Sequence, residues 1–357
     1  MRNTASARID LAALSHNLQL VRGLCPQARV MAMIKADAYG HGALAVAESL
    51  RGADGLAVAR LQEALALRQA GISHRLLLLG TVLEPDDLVL CSAQQIDVTA
   101  HDAGSMAAIA QASRQHALRV WLKLDSGMHR LGLDATEFAE AERTLTASPG
   151  VAEIVHMTHF SSTHDLNSAA TERQLVTFQA CHAGNPARVV SVANSAALIA
   201  RAELRSGWVR PGIMLYGDNP LAKTHPLPLR PVMRLATRVV ALRSIATGES
   251  VGYDSCWTAG RSSRIATLGI GYADGYPRQA PNGTPVWIGG STAPLVGRVS
   301  MDSITIDVTD RNDVRVGDEA VLWGPELPAA QIAEHVGTAT YALFTGVGRR
   351  VTREFID

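Results

Sequence analysis

The feature that most constrains this chain is a series of eight short apolar runs, at residues 30–34, 56–59, 76–79, 97–100, 120–124, 153–159, 189–193 and 208–210, with segments of helical spacing between them. Strands that are apolar on both faces and alternate with helices belong to parallel sheets, because each crossover lays a helix against the sheet. Eight such units in one domain predict an α/β fold of the (β/α)8 TIM-barrel kind. A doubly wound open sheet is the rival, and the pattern alone leaves it standing. The helices have local signals. Asp10 is placed to cap one whose Leu11, Leu14, Leu18 and Val21 share a face and whose end is marked by Gly23. Leu61, Ala64 and Leu65 share the face of another, which Gly71 stops.

The pattern changes after the Pro-rich run at residues 219–228 (NPLAKTHPLP), which reads as a linker. Beyond it come β-branched runs at 237–242, 265–272, 284–288, 304–308 and 319–323, with turn signals at 281–283 and 289–290 and a helix at 329–335. The expected division is a barrel over residues 1–228 and a mainly β domain over residues 229–357.

The chain has 357 residues, of which 47% are hydrophobic and only 18% charged, so composition argues for packed domains and against disorder. Its formal net charge of zero offers no basic footprint for nucleic acid. No stretch approaches the ~18 uncharged apolar residues needed to span a membrane. Residues 1–4 lack an apolar leader region, which suits the cytoplasm. Cys25, Cys91, Cys181 and Cys256 are scattered, without a CxxC pair; they read as free thiols in a reducing compartment, with neither disulfide nor zinc spacing.

Barrels hold their sites at the C-terminal ends of the strands. The polar residues there are Lys35, Arg130, His159, Asn194 with Ser195, and Arg210. Each alone is equally well a solvated or structural group; together they mark one end of one barrel. Partial burial would lower the pKa of Lys35 and make it a usable nucleophile and base. Tyr39, four residues on, can place a hydroxyl near the same point. Ser195 and Gly212 follow the seventh and eighth strands, where barrels commonly hold a phosphate. The competing readings are a simple helix cap for Ser195 and a turn for Gly212.

These residues also carry a family resemblance. Residues 35–42 (KADAYGHG) resemble the lysine motif of alanine racemases, which bind pyridoxal 5'-phosphate (PLP), and residues 123–132 (KLDSGMHRLG) resemble that family's second motif. Further matches follow in order at 159–160, 194–195, 209–217 (VRPGIMLYG), 251–253, 271–276 and 296–302. The resemblance implies an enzyme that interconverts L- and D-alanine in a cytoplasmic homodimer with shared sites, supplying D-alanine for peptidoglycan or serving alanine catabolism. By resemblance Lys35 holds PLP covalently and, once freed, takes the proton from D-alanine, while Tyr253 of the partner chain takes it from L-alanine. His159 and Arg210 resemble the pair that supports the tyrosine as a base. Arg210 also resembles the arginine facing the PLP ring nitrogen, and Arg130 the contact to the substrate carboxylate. Lys123 resembles a lysine that is carbamylated in many members, and Met301 a partner-chain residue whose backbone meets the substrate. Tyr39, Ser195, Gly212, Ile213 and Tyr341 resemble the phosphate cradle, and Tyr253, Tyr272 and Tyr341 an aromatic gate.

There are departures: Asp254 stands where a glycine usually follows the tyrosine, Ala342 where a glutamate is frequent, and residues 161–165 (SSTHD) where an Ala-Asp-Glu pattern is common. A broader amino-acid racemase and a PLP-dependent decarboxylase are neighbouring readings. The decarboxylase would want an acidic residue where Arg210 stands. A non-enzymatic PLP-binding barrel is the third, and it would lack the second domain.

Overall fold

The structure is a computed structural model that describes residues 4–80 and 82–357; Met1, Arg2 and Asn3, at the start of the stretch read as lacking a leader, lie outside the described residues. The first strand, β1 (Ser6–Asp10), is followed by eight that form the barrel. These are β2 (Arg29–Met33), β3 (Gly55–Val58), β4 (Arg75–Leu78), β5 (Ile96–Ala100), β6 (Leu118–Lys123), β7 (Val151–Met157), β8 (Val189–Ser191) and β9 (Trp208–Val209). They lie side by side in the order β8-β7-β6-β5-β4-β3-β2-β9, each parallel to its neighbour. The open-sheet rival is therefore excluded. Between β8 and β9 the ladder is replaced by single bonds: Arg210 N–H donates to Ala193 O at 2.8 Å and Ser191 Oγ–H to Trp208 O at 2.9 Å. The wall is thus nearly closed.

All eight anticipated runs are strands, differing only at their ends. Gly55–Val58 and Ile96–Ala100 are buried along their whole length, which is why they read as continuous apolar runs. At the N-terminal end of the barrel an acidic residue of β5, Asp97, is wholly buried. It accepts from Arg75 Nε and Arg119 Nε, both at 2.6 Å, and from Trp121 Nε1 at 2.9 Å. A buried carboxylate needs such partners, and with them it plugs that end and leaves the C-terminal end as the mouth.

The second sheet holds β10 (Met233–Ile245), β11 (Ser263–Leu268), β12 (Pro285–Ile288), β13 (Ser291–Pro294), β14 (Ile304–Asp307), β15 (Glu319–Trp323) and β16 (Thr352–Ile356). Helices Ala329–Val336 and Thr340–Gly346 pack with it. The second sheet also takes in a strand from the start of the chain. β1 does not serve the barrel; it lies antiparallel to β10 and parallel to β16 in the second sheet. Its alternating burial, with Ala7 and Ile9 inside, suits a sheet covered on one face rather than a barrel wall. The helix that follows is capped as anticipated, Asp10 Oδ1 accepting from Ala13 N–H at 2.6 Å, but it runs through Gly23 to Leu24. No helix among the described residues is long and apolar enough to cross a membrane.

Candidate active site

β2 ends at Met33, and the chain turns sharply at the residue that matters. Ala36, Asp37, Ala38 and Tyr39 follow Lys35 with φ of 53°, 54°, 54° and 51°, one turn of left-handed helix built without glycine. Such residues cost roughly 1–2 kcal/mol each, so the turn has to be held from outside. Glu63 accepts from Ala36 N–H at 2.6 Å while its other oxygen accepts from Ala59 and Arg60 N–H, both at 2.9 Å. One carboxylate thereby ties the loop after β2 to the loop after β3. At the far end of the turn Gly40 lies so close to the second domain that a Cβ there would sit 2.1 Å from Phe344 O.

The Lys35 amine emerges into a cavity of ≈ 840 Å³ at the barrel mouth. The strand-end residues read from the sequence converge on it: Lys35, Arg130, His159, Ser195 and Arg210 all line it. Tyr39, Lys123, Gly212 and Tyr341 join them. The wall carries the cations of Lys35, Arg60, Lys123, Arg130 and Arg210, and among the described residues lining it there is no Asp or Glu. Burial, with Arg130 and Arg210 adding to it against an opposing pull from Glu63, holds the Lys35 amine below its ordinary pKa. Burial and the same two arginines bring Lys123 down to about 8; its ammonium donates to Leu131 O.

Arg210 is buried, and among the described residues its partners are hydroxyl and carbonyl groups and an imidazole, not a carboxylate. Its guanidinium donates to Ser191 O at 2.7 Å, Ser191 Oγ at 2.5 Å and Thr158 O at 2.6 Å, which fixes its plane. Burial lowers it to about 10, so it stays charged at neutral pH. The same guanidinium faces His159 Nδ1 at 3.5 Å. An arginine only donates, so Nδ1 accepts and the imidazole proton sits on Nε2. Burial and the surrounding cations, Arg210 first, hold His159 down to about 3; it is a neutral donor, and the permanent charge lies behind it on Arg210. The backbone of His159 is fixed by Gln174, whose Nε2–H donates to His159 O at 3.2 Å while its Oε1 accepts from Ser161 N–H at 2.9 Å. Neither Gln174 nor Glu63 was legible as a site residue. Gln174 sits mid-helix without any motif, whereas Glu63, two residues into its helix, carries only an ordinary capping signal.

The anion cradle is built from backbone and hydroxyls. Ser195 Oγ accepts from Gly212 N–H at 2.9 Å, joining the loops after β8 and β9. Ser195 does not cap its helix: Asn194 does, through Ala197 N–H at 3.0 Å, because its longer side chain reaches back over the first turn. A Cβ on Gly212 would stand 2.7 Å from Tyr39 Oη and 3.5 Å from Met33 Cβ. The missing side chain lets the Tyr39 hydroxyl stand against the loop after β9, beside Ser195 Oγ on Gly212 N–H, a grouping of hydroxyls and backbone that suits a phosphate. Ile213 follows with its side chain buried in the core and does not line the cavity. Gly212→Ala, whose Cβ would displace the Tyr39 hydroxyl, should therefore weaken PLP binding about tenfold or more, and titration of the apoprotein with PLP checks this.

Four anticipated residues are absent from the cavity wall of the chain that bears them, the buried Ile213 among them. Tyr253, Tyr272 and Met301 stand exposed at 68%, 38% and 52% on the second domain. Asp254, beside Tyr253, has φ 58°, a left-handed conformation that accounts for the glycine usual at that position. Its carboxylate pairs with Arg298 Nε at 2.9 Å.

What the mouth of this barrel is shaped to hold is an anionic cofactor that also engages an amine, and this places the chain among the PLP-dependent enzymes of amino-acid chemistry. Comparison with known proteins narrows the class. The model of the alanine racemase N-terminal domain matches residues 9–220, and that of the C-terminal domain residues 232–355. A catabolic alanine racemase of Pseudomonas aeruginosa is 45% identical over 354 residues, 98% of either chain. The crystal structure of the biosynthetic alanine racemase from Pseudomonas aeruginosa superposes with a TM-score of 0.95 at 41% identity, covering 100% of both chains. That of alanine racemase from Bartonella henselae, with covalently bound pyridoxal phosphate, does so with 0.92 at 30% identity over 99% of this chain and 100% of its own. The chain belongs to the alanine racemase family.

Proposed function

We propose that this PLP-dependent racemase works on alanine with two fixed bases, Lys35 from one chain and Tyr253 from a second copy. The observation that carries the reading is the carboxylate-free, cation-lined cavity around Lys35, combined with the exposure of Tyr253 outside it. PLP, when bound, withdraws electrons and makes the substrate Cα–H acidic. Lys35 holds the cofactor, and its amine, already below its ordinary pKa, removes the proton from one face of Cα. Tyr253 works at the other face. His159 Nε2–H, backed by the charge of Arg210, is the donor that stabilises the deprotonated phenol. Arg130 receives the substrate carboxylate, for which a guanidinium fork is suited, and the Met301 backbone closes the site from the second copy. Tyr39, Ser195, Gly212, Ile213 and Tyr341 hold the phosphate; Tyr253, Tyr272 and Tyr341 form a gate that favours a methyl side chain.

Arg210, which stays charged, would face the ring nitrogen of the bound cofactor and leave it unprotonated; that would limit side reactions, and it speaks against decarboxylation. The barrel portion up to residue 228 holds the cofactor and residues 229–357 present the second base, so the functional unit is a homodimer. Four free thiols suit the cytoplasm. There the enzyme supplies D-alanine for peptidoglycan or serves alanine catabolism; its relatives include alanine racemases named as biosynthetic and as catabolic.

Lys123 is the candidate for carbamylation. Its neutral amine attacks CO₂, loses a proton and becomes an N-carboxylate. With a pKa brought down to about 8, the reactive fraction rises as pH rises through that value and falls below it. Adding bicarbonate to CO₂-stripped enzyme should lower KM for alanine, with a larger effect at pH 9 than at pH 7, and a new carbamate signal from ¹³C-labelled bicarbonate should disappear in Lys123→Met. A KM indifferent to bicarbonate would remove Lys123 from this role.

The main test is racemisation of L- and D-alanine beside L-serine and L-lysine, with PLP added. Alanine turned over far faster than the others supports the reading. Comparable serine or lysine turnover makes the enzyme a broad racemase, and bound PLP without turnover leaves only a carrier.

A further inference from the structure

We propose that His41 is a positioning residue that locks the left-handed turn presenting Lys35 and Tyr39 onto the second domain. The proposal rests on the reading of Lys35 as the lysine that holds PLP. His41 immediately follows the turn and is wholly buried. Its Nδ1 lies 2.9 Å from Tyr39 O and 3.1 Å from Ala38 O. Both are carbonyls, so Nδ1 carries the proton and donates to two residues of the turn at once. The ring is packed from two directions. It lies 4.5 Å from the Tyr216 ring, whose hydroxyl donates to Met33 O at the end of β2 at 2.8 Å. It also meets Phe344 of the helix Thr340–Gly346 edge-on at 5.0 Å.

The second domain touches the turn at three further points. Phe344 O closes on Gly40, Arg353 Nε of β16 donates to Gly40 O at 2.8 Å, and the Tyr341 ring packs at a tilt against Tyr39 at 5.5 Å between ring centres. His41 is therefore a side chain at the junction where the barrel's cofactor turn and the second domain grip each other.

A second observation separates this role from plain packing. His41 Nε2 is buried without a hydrogen-bond partner among the described residues. An unpaired acceptor in a core costs stability that a phenyl ring would not, so ring volume alone does not account for an imidazole here. What a phenyl ring cannot supply is the Nδ1–H. Burial holds the imidazole down to about 4, so this donor is present in the neutral ring across the working pH range.

The test compares wild type with His41→Asn, whose amide can take the place of Nδ1, and with His41→Phe, which keeps a ring and loses the donor. The readouts are the rate at which PLP leaves the holoenzyme into a trapping buffer and amide hydrogen exchange over residues 36–42 in the apoprotein. His41→Phe is expected to release PLP at least ~10-fold faster and to exchange those amides faster, with amides elsewhere in the barrel unchanged; His41→Asn should recover most of both. His41→Phe with PLP release and exchange equal to wild type overturns the proposal. So does a His41→Asn that behaves no better than His41→Phe. Should the Phe variant fail to fold, Arg353→Met removes the neighbouring clamp on Gly40 and should speed PLP release about 3-fold; no change there also overturns it. Borohydride reduction of the wild-type holoenzyme followed by peptide mapping keeps the premise separate. A pyridoxyl label away from Lys35 defeats that reading, whatever the His41 variants do.

Discussion

A Lys35→Ala variant is expected to purify without the visible absorption of covalently held PLP and to racemise alanine at least ~10⁴-fold more slowly than wild type, with an unchanged circular dichroism spectrum. Two functions are lost with one amine: the covalent hold on the cofactor and the base on one face of Cα. The other cavity cations cannot take over. Arg210 is fixed to Ser191 and Thr158 and stays protonated, and Lys123 is turned to Leu131 O. The fold should tolerate the change, because the turn that follows is held through backbone atoms by Glu63 and not through the lysine side chain. A Lys35→Ala protein that keeps the chromophore would sink the assignment.

Tyr253→Phe is the second large effect. Racemisation should fall ~10²- to 10⁴-fold, while deuterium from solvent still exchanges into Cα of D-alanine through Lys35 and no longer into L-alanine. Tyr253 is exposed in one chain, so loss of its hydroxyl should leave stability within about 0.5 kcal/mol. Equal loss of exchange in both enantiomers would mean that one base serves both faces. The two variants together also test the dimer. Neither homodimer has a complete site, but a mixed dimer with Lys35→Ala in one chain and Tyr253→Phe in the other has one site with both residues intact. After random subunit exchange, about a quarter of wild-type activity should return, half the dimers having one working site of two. If Tyr253 served its own chain, mixing would restore nothing.

The barrel was legible because its strands are buried on both faces and bounded by helical segments that carry caps. The pieces that escaped have weaker signals. β13 is a short, mostly exposed strand, β1 buries only alternate residues, and the helix Thr340–Gly346 starts at Ala339 without a side-chain cap. The site was legible as far as polar residues stand at strand ends, which gave Lys35, His159 and Arg210. The residues that hold them in place were not. Glu63, Gln174 and His41 act through backbone atoms of distant loops, and no spacing in the chain reports a contact of that kind. The left-handed turn was also hidden, because Ala36, Asp37, Ala38 and Tyr39 include no glycine to announce a positive φ.

The pairing of β1 with β10 and β16 sets an order of assembly. A ribosome delivers Ser6–Asp10 first and its neighbours Met233–Ile245 and Thr352–Ile356 last, with the entire barrel emerging in between. The barrel can close while β1 waits unpaired beside it, whereas the second sheet cannot close until the final strand is released. During that interval β1 exposes an edge to other nascent chains. The longer that interval lasts, the greater the risk of strand exchange between neighbours, so slowing translation through residues 233–356 should lower the soluble yield.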